Sequence, residues 1–344
     1  MKVLLIGGAG YVGSVLTGEL LERGYSVKIF ERFYFGDRGI AAHRDRVEVV
    51  RGDMREMKPD VLEDVGAVVN IGGLSNDPTA EYNPKANYEM NTLATKRSAE
   101  HCKAAGVRRY ILASSCSIYD IGVKEEDRDV VMDETTTIVP KAAYSASKFE
   151  AERILLGMAG GDFAPVILRK GTIYGYSPRM RYDLVVNTFI KDALLKGVIT
   201  PYFGGEMWRP MVDVRDVAKA YIALIEADAA KVGGEIFNLV YRNFRISELA
   251  LRVRSALRAA GVAVEIAPDY RYKGVRSYRV SGEKIKRVLG FTPTLSVEDS
   301  TADMVEKVRE NDQCDFDNPI YYNIRWLKML EQAEGIIKIT GKIF

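Results

Sequence analysis

A doubly wound α/β fold, built on a parallel sheet and followed by a smaller α/β lobe, is predicted by three observations. The chain opens on a short apolar run, Val3-Leu4-Leu5-Ile6, without polar alternation, as a strand buried on both faces requires. Gly7, Gly10 and Gly13 follow at three-residue spacing, and a helix-like segment begins at Tyr11. Strand-like and helix-like patterns then alternate to about residue 171.

The composition fits that class. The 344 residues suit one large domain or two ordinary ones, and 47% hydrophobic with 28% charged residues is the balance of a soluble globular protein. The net charge of +2, without long single-sign blocks, argues for neither nucleic acid nor a membrane surface as partner. The three cysteines are scattered and there are only two histidines, so neither a disulfide framework nor a metal site is expected. No run approaches the roughly 18 apolar residues of a membrane span. A cytoplasmic enzyme is the expectation.

The glycine stretch carries the first functional reading. Gly7 allows the sharp turn, Gly10 lets a pyrophosphate approach the backbone, and Gly13 lets the helix lie against the strand. The N–H groups at the helix start, at Tyr11 and Val12, then face phosphates, so a bound dinucleotide is expected. The first helix covers 11–23 and ends at Gly24, and Val27–Phe30 is a second strand. Glu31 at its end would accept hydrogen bonds from the adenosine ribose and repel a 2′-phosphate, which favours NAD. Arg32 follows and could pair with that phosphate, so NADP remains the second choice.

Val47–Val50 reads as a third strand. Asp53 after it is placed to reach the adenine or to cap a helix over 54–63 beginning at Met54. Ala67–Ile71 is a fourth strand, and Ile71, Gly72 and Gly73 allow close approach of the cofactor. One long amphipathic helix is predicted over 84–105, containing Asn91, then a strand at Arg109–Ala113, a helix at Ala142–Met158 and a strand at Val166–Leu168. From about 172 helices are expected near 181–196, 214–227, 246–260, 281–289 and 296–309, with a short strand near 235–239. Residues 1–171, joined by about 210–240, form the expected dinucleotide domain, 172–310 an interleaved substrate lobe, and 311–344 a helical extension. In that extension Tyr322, Trp326, Met329 and Leu330 share one face and are expected to pack.

The catalytic signal is Tyr144-Ser145-Ala146-Ser147-Lys148. On a helix Tyr144 and Lys148 share a face, and an ammonium beside a phenol favours the phenolate, making a base of a group whose ordinary pKa is about 10. A hydroxyl should complete the site, and Ser114-Ser115 stands at the carboxyl end of the fifth strand, where such sheets place ligands.

With these residues in view the chain resembles the extended short-chain dehydrogenase/reductases that act on nucleotide sugars, typified by UDP-glucose 4-epimerase. The carriers are Gly7 to Gly13, Gly52-Asp53, Ser114 to Tyr119, Tyr144 to Lys148, Leu168-Arg169 with Tyr174-Gly175, and Arg209 to Ala218. The resemblance implies a Rossmann-type sheet and a catalytic set of Ser115, Tyr144 and Lys148. It implies Asn91 near the cofactor, Arg209 and Arg276 on the sugar nucleotide's diphosphate with Arg271 as the rival of Arg276, and Asn187 against the nucleotide. Ser75, Ser115 and Thr172 complete the expected substrate contacts. A homodimer through the helices at 84–105 and 142–158 is also implied.

Three departures bear on the reaction. Cys116-Ser117 stands where the family's dehydratases carry Asp-Glu, which argues against 4,6-dehydration. Thr172 replaces the asparagine usual in the epimerases. The stretch 120–139 is long and acidic, and is expected as a loop near the sugar pocket. The reading is an NAD-dependent nucleotide-sugar epimerase, most simply at C4 through a 4-keto intermediate. An NADPH-dependent 4-keto-sugar reductase is the alternative, and a non-catalytic NAD(P) sensor stands further off.

Overall fold

The computed structural model describes residues 1–119, 130–271 and 276–342. Seven strands form the central sheet: β1 (Lys2–Ile6), β2 (Ser26–Glu31), β3 (Val47–Arg51), β4 (Val65–Asn70), β5 (Arg109–Ser115), β6 (Ala164–Lys170) and β7 (Ile236–Leu239). Their order is β7-β6-β5-β4-β1-β2-β3 and every neighbouring pair is parallel. The chain starts at β1, winds outward to β3, then crosses back to lay β4 on the other side. The carboxyl ends of β1 and β4 flank the crevice this crossing leaves.

Both faces of the sheet are covered, which explains the uninterrupted apolar run of β1. Val3 and Leu5 pack towards the helices Tyr11–Glu22 and Val214–Glu226 with Leu16, Leu20, Val217 and Tyr221. Leu4 and Ile6 point the other way, into a core with Ala99 and Cys102 of the helix Ala94–Ala104 and with Ala151 and Leu155 of the helix Ala143–Met158. A one-residue slip of β1 would exchange these two sets.

A second core holds the smaller lobe. Helices Val185–Lys196, Ile246–Ala259 and Val297–Glu310 bury Phe189, Ile190, Leu249, Val253 and Met304 around Tyr174, Tyr182 and Tyr321. A three-stranded sheet lies beside it. Its middle strand, Trp208–Asp213, runs parallel to Thr172–Tyr174 and antiparallel to Arg242–Arg245.

Three expected elements differ. The helix over 54–63 is two short 3₁₀ turns, Met54–Glu56 and Pro59–Leu62, because Pro59 has no N–H with which to continue the first. The helix over 84–105 is divided into Pro84–Tyr88, a π-helical turn at Glu89–Leu93 and Ala94–Ala104, and Asn91 lies in the widened turn. The C-terminal helix, Asn323–Thr340, packs less than expected: Tyr322 is buried but Met329 is 47% exposed. Of the acidic stretch, residues 120–129 lie outside the described residues. Val131–Met132 pairs with Arg279–Val280, and Glu134 accepts from the Asn238 backbone N–H at 2.6 Å.

Candidate active site

The loop after β1 is built from backbone. Gly7 has φ +88°, and a Cβ there would sit 2.7 Å from the Cα of Gly72 on the loop after β4. A Cβ on Gly13 would stand 2.5 Å from the Gly7 carbonyl oxygen, so the helix could not lie so close to the turn. Glu31 braces the same loop: its carboxylate accepts from the backbone N–H groups of Arg32 (2.9 Å), Phe33 (3.1 Å) and Ala9 (3.3 Å). Burial raises its pKa, and these three donors oppose the rise. Arg32 pairs with Asp53, which also takes the Arg55 side chain at 2.6 Å and its N–H at 2.9 Å.

A cavity of about 370 Å³ runs from this loop to the carboxyl ends of β5 and β6. Gly7, Gly10, Tyr11, Val12, Gly13, Glu31, Arg32, Asp53, Met54, Ile71, Gly72 and Gly73 line one part. Ser75, Ser115, Tyr144, Lys148, Thr172, Arg209 and Arg276 line the rest. Asn91 and Asn187 do not. Asn91 gives its amide to the Leu74 carbonyl (3.0 Å) and to Asn87 (2.7 Å), tying the loop after β4 to the π-helical turn. Asn187 is fully buried. Its oxygen accepts from the Gly175 N–H at 3.0 Å, and its amide donates to the Tyr11 hydroxyl (3.1 Å) and the Arg181 carbonyl (2.9 Å). It braces the turn after Tyr174 against the glycine loop.

Ser115, Tyr144 and Lys148 meet at the carboxyl end of β5. Burial pushes the Tyr144 phenol up to about 12, while a hydrogen bond with Ser115 and the charge of Arg181 pull it down. The lowering expected from Lys148 is thus carried here by Ser115 and Arg181. The Lys148 ammonium is itself driven down to about 8 by burial, with Glu152 working in the other direction. Ser115 accepts the Ser117 N–H at 3.1 Å. Beneath it lies a buried network: Glu152 binds Ser114 and, at 2.6 Å, Arg169, which donates to the Tyr119 hydroxyl at 2.7 Å, and Tyr119 donates to Asn238 at 2.8 Å. This pins the strand end that carries the Ser115 hydroxyl. Cys116 is buried against the Arg169 carbonyl, and burial pushes its thiol well up, as suits a small packed residue.

Arginines gather towards the smaller lobe. Arg276 pairs with Asp77, and Arg209 donates to the carbonyls of Arg276 and Trp208 with its guanidinium 5.4 Å from the Tyr278 ring centre. Arg181 grips Asp183 through two bonds of 2.8 and 3.0 Å and reaches Ser75 at 3.3 Å. Arg271 forms its pair with Asp269, and neither is among the residues lining the cavity.

A dinucleotide fits the first part of this cavity. The loop is closed to side chains at Gly7 and Gly13, and at Gly10 an added Cβ would already crowd the Gly7 carbonyl oxygen at 3.3 Å. Backbone N–H groups of the helix start supply phosphate donors. Glu31 and Asp53 place two carboxylates at the same end.

A sequence model of the NAD dependent epimerase/dehydratase family matches residues 3–239, more than half of the chain. The chain belongs to this family. Among relatives of this epimerase/dehydratase, UDP-glucuronic acid decarboxylase 1 of Arabidopsis thaliana is 26% identical over 316 residues, covering 90% of this chain and 70% of that protein. UDP-glucose 4-epimerase of Corynebacterium glutamicum is 26% identical over 310 residues, covering 85% and 91%. Among solved structures, MoeE5 in complex with UDP-glucuronic acid and NAD superposes with a TM-score of 0.76 at 28% identity, over 90% of this chain and 99% of that one.

Sequence reasoning missed several residues of the epimerase/dehydratase cavity: Lys170, Arg179, Arg181, Tyr278 and Asn323. Lys170 is the register partner of Ser115 in the sheet and donates to the Ser114 carbonyl at 2.9 Å. Burial and the neighbouring Lys148 drive its ammonium down to about 7. The available signal was position: Lys170 ends the strand that carries Arg169, and Arg179 and Arg181 follow the Tyr174-Gly175 turn closely. Asn323 carried no such signal.

Proposed function

We propose that the protein is an NAD-dependent nucleotide-sugar epimerase acting at C4. The observation that carries this reading is the meeting of Ser115, Tyr144 and Lys148 in one cavity with the glycine loop. Tyr144, as phenolate, takes the proton of the sugar's C4 hydroxyl, and Ser115 donates a hydrogen bond to the same oxygen. Lys148 holds the ribose beside the ring and steadies the phenolate in the loaded site. Bound NAD supplies the hydride acceptor and donor, and its cationic ring adds a charge that favours the phenolate. The C4–H bond breaks as the C4 ketone forms. After the sugar turns over, Tyr144 would give the proton back as the C4–H bond re-forms on the other face. Arg209 and Arg276 are the proposed diphosphate contacts, and Ser75 and Thr172 face the sugar.

Two observations favour this over the rivals. Among the described residues lining the cavity the carboxylates are Glu31, Asp53 and Asp77. Each is engaged with backbone or arginine, so no free acid–base pair adjoins Ser115 for dehydration. Arg32 is turned to Asp53 instead of standing open for a 2′-phosphate, which weighs against the NADPH reductase. A homodimer through the helices over 84–105 and 142–158 accompanies the proposal, and Tyr88 (47% exposed) and Leu93 (45%) supply apolar surface on the first of these. A cytoplasmic setting completes it.

The test is to denature the purified protein, identify the released nucleotide, and follow UDP-glucose and UDP-glucuronic acid by proton NMR. Tightly held NAD with interconversion of C4 epimers is expected. Loss of carbon dioxide or water, or a net requirement for NADPH, sinks the epimerase reading.

A further inference from the structure

The C-terminal helix Asn323–Thr340 lies beyond the family match, which ends at residue 239, yet it reaches the cavity. Asn323 is its first residue. The Asn323 amide donates to the Ser75 hydroxyl at 2.8 Å, and its oxygen accepts from the Arg179 guanidinium at 2.7 Å. One turn on, the Trp326 indole N–H donates to the Tyr34 carbonyl at 2.5 Å. One helix thereby holds the loop after β2, the loop after β4 and the loop that carries Arg179.

Arg179 is 6% exposed, lines the cavity, and stacks over Phe35 at 3.7 Å. Its Nε is buried with no hydrogen-bond partner among the described residues. It also lies next to the glycine loop: a Cβ built on Gly39 would be 2.4 Å from the Ala9 carbonyl oxygen and 3.2 Å from the Arg179 Cβ. A buried guanidinium without a hydrogen-bonded anion is unfavourable, and its fork matches a phosphate. Asn323 orients that fork without pairing with its charge, on which the carboxylates of Asp183 and Glu31 act without a hydrogen bond to it.

We propose that the C-terminal helix is a working part of the dinucleotide site: Asn323 is a positioning residue that aims the buried Arg179 guanidinium at a phosphate of the bound dinucleotide, and the helix slows that ligand's release. The nucleotide sugar offers the same diphosphate chemistry. The dinucleotide is favoured because Arg179 stacks on Phe35 and packs beside Gly39, which lies against Ala9 of the glycine loop. The inference rests on the proposed use of NAD.

The test measures exchange of isotope-labelled NAD from full-length holoprotein, with UDP affinity measured in parallel. Asn323→Ala is expected to speed NAD exchange at least tenfold, and Trp326→Phe, which keeps the ring and removes the Tyr34 bond, about threefold, with UDP affinity unmoved. Asn323→Asp separates orientation from simple packing. It keeps the shape and pairs with Arg179, so a purely structural role predicts rescue, whereas the proposal predicts fast exchange because the charge is neutralised. A folded Asn323→Ala protein with wild-type exchange overturns the proposal, as does a fall in UDP affinity with NAD exchange unchanged. Wild-type protein that binds no dinucleotide sinks the functional reading as well, so the two failures are distinguishable.

Discussion

The two ends of the cavity are made in different ways. At the glycine loop the site is backbone: residues close in sequence set turns and spacings, and side chains matter mostly by being absent. At the end proposed to hold the sugar the site is side chains, delivered by β5, β6, the helix Ala143–Met158 and the strand Trp208–Asp213. The first kind of site tolerates almost no substitution within the loop itself. The second distributes its work, so individual replacements reveal separate roles.

The sharpest contrast comes from Tyr144→Phe. Turnover is expected to fall by roughly 100-fold or more while NAD stays bound, because only proton transfer is removed. Near-normal turnover on the true substrate would abolish the reacting end as described. Gly13→Ala should do the reverse. Its Cβ meets the Gly7 carbonyl oxygen at 2.5 Å, so NAD affinity should drop at least tenfold and stability by about 1–3 kcal/mol. Calorimetric NAD titration and thermal melts on one sample check both.

Lys170→Met tests the electrostatics between the two ends. The folded pKa of about 7 lies below the ordinary lysine value of 10.5, so between these values the unfolded chain binds more protons. Stability is therefore penalised in full below about pH 7 and recovers as pH rises towards 10.5. Removing the ammonium should raise the melting midpoint at pH 6 by roughly 2 °C or more and flatten its rise with pH. A midpoint lowered equally at every pH would contradict this sign. The smallest effect is expected from Arg32→Ala: its pair with Asp53 is 44% exposed on the arginine side, and the midpoint should move by about 1 °C or less. A gain of NADP binding in that variant would reverse the account of Arg32.

That contrast also explains what could be read from the sequence. Backbone-made features follow from local spacing, so the glycine loop, the strands of the parallel sheet and the Tyr144–Lys148 helix were legible. Asn187 was not. Its residue type suits ligand binding, but only the fold shows that Gly175, Tyr11 and Arg181 already take up its amide. Asn91 illustrates the same limit, since its direction depends on a π-helical turn that periodicity does not announce. Arg179 and Asn323 are 144 residues apart, and nothing in the pattern around either one marks their meeting. Thr172–Tyr174 and Trp208–Asp213 were missed as strands because a three-residue segment and a Pro-containing run carry weak periodicity.

The back-to-back contact of Gly7 and Gly72 has a consequence for sequence drift. Ordinarily a clash between two positions can be relieved by shrinking one as the other grows. Here both partners already carry the smallest side chain, and 2.7 Å separates the Cα of one from the first atom the other would add. An exchange at Gly7 therefore has no compensating exchange at Gly72, whereas a Cβ on Gly72 would meet the Met54 sulfur at 3.2 Å and the Ile6 side chain at 3.3 Å. Gly7, at the crossing point of the sheet, is therefore a fixed point in the space of tolerated sequences.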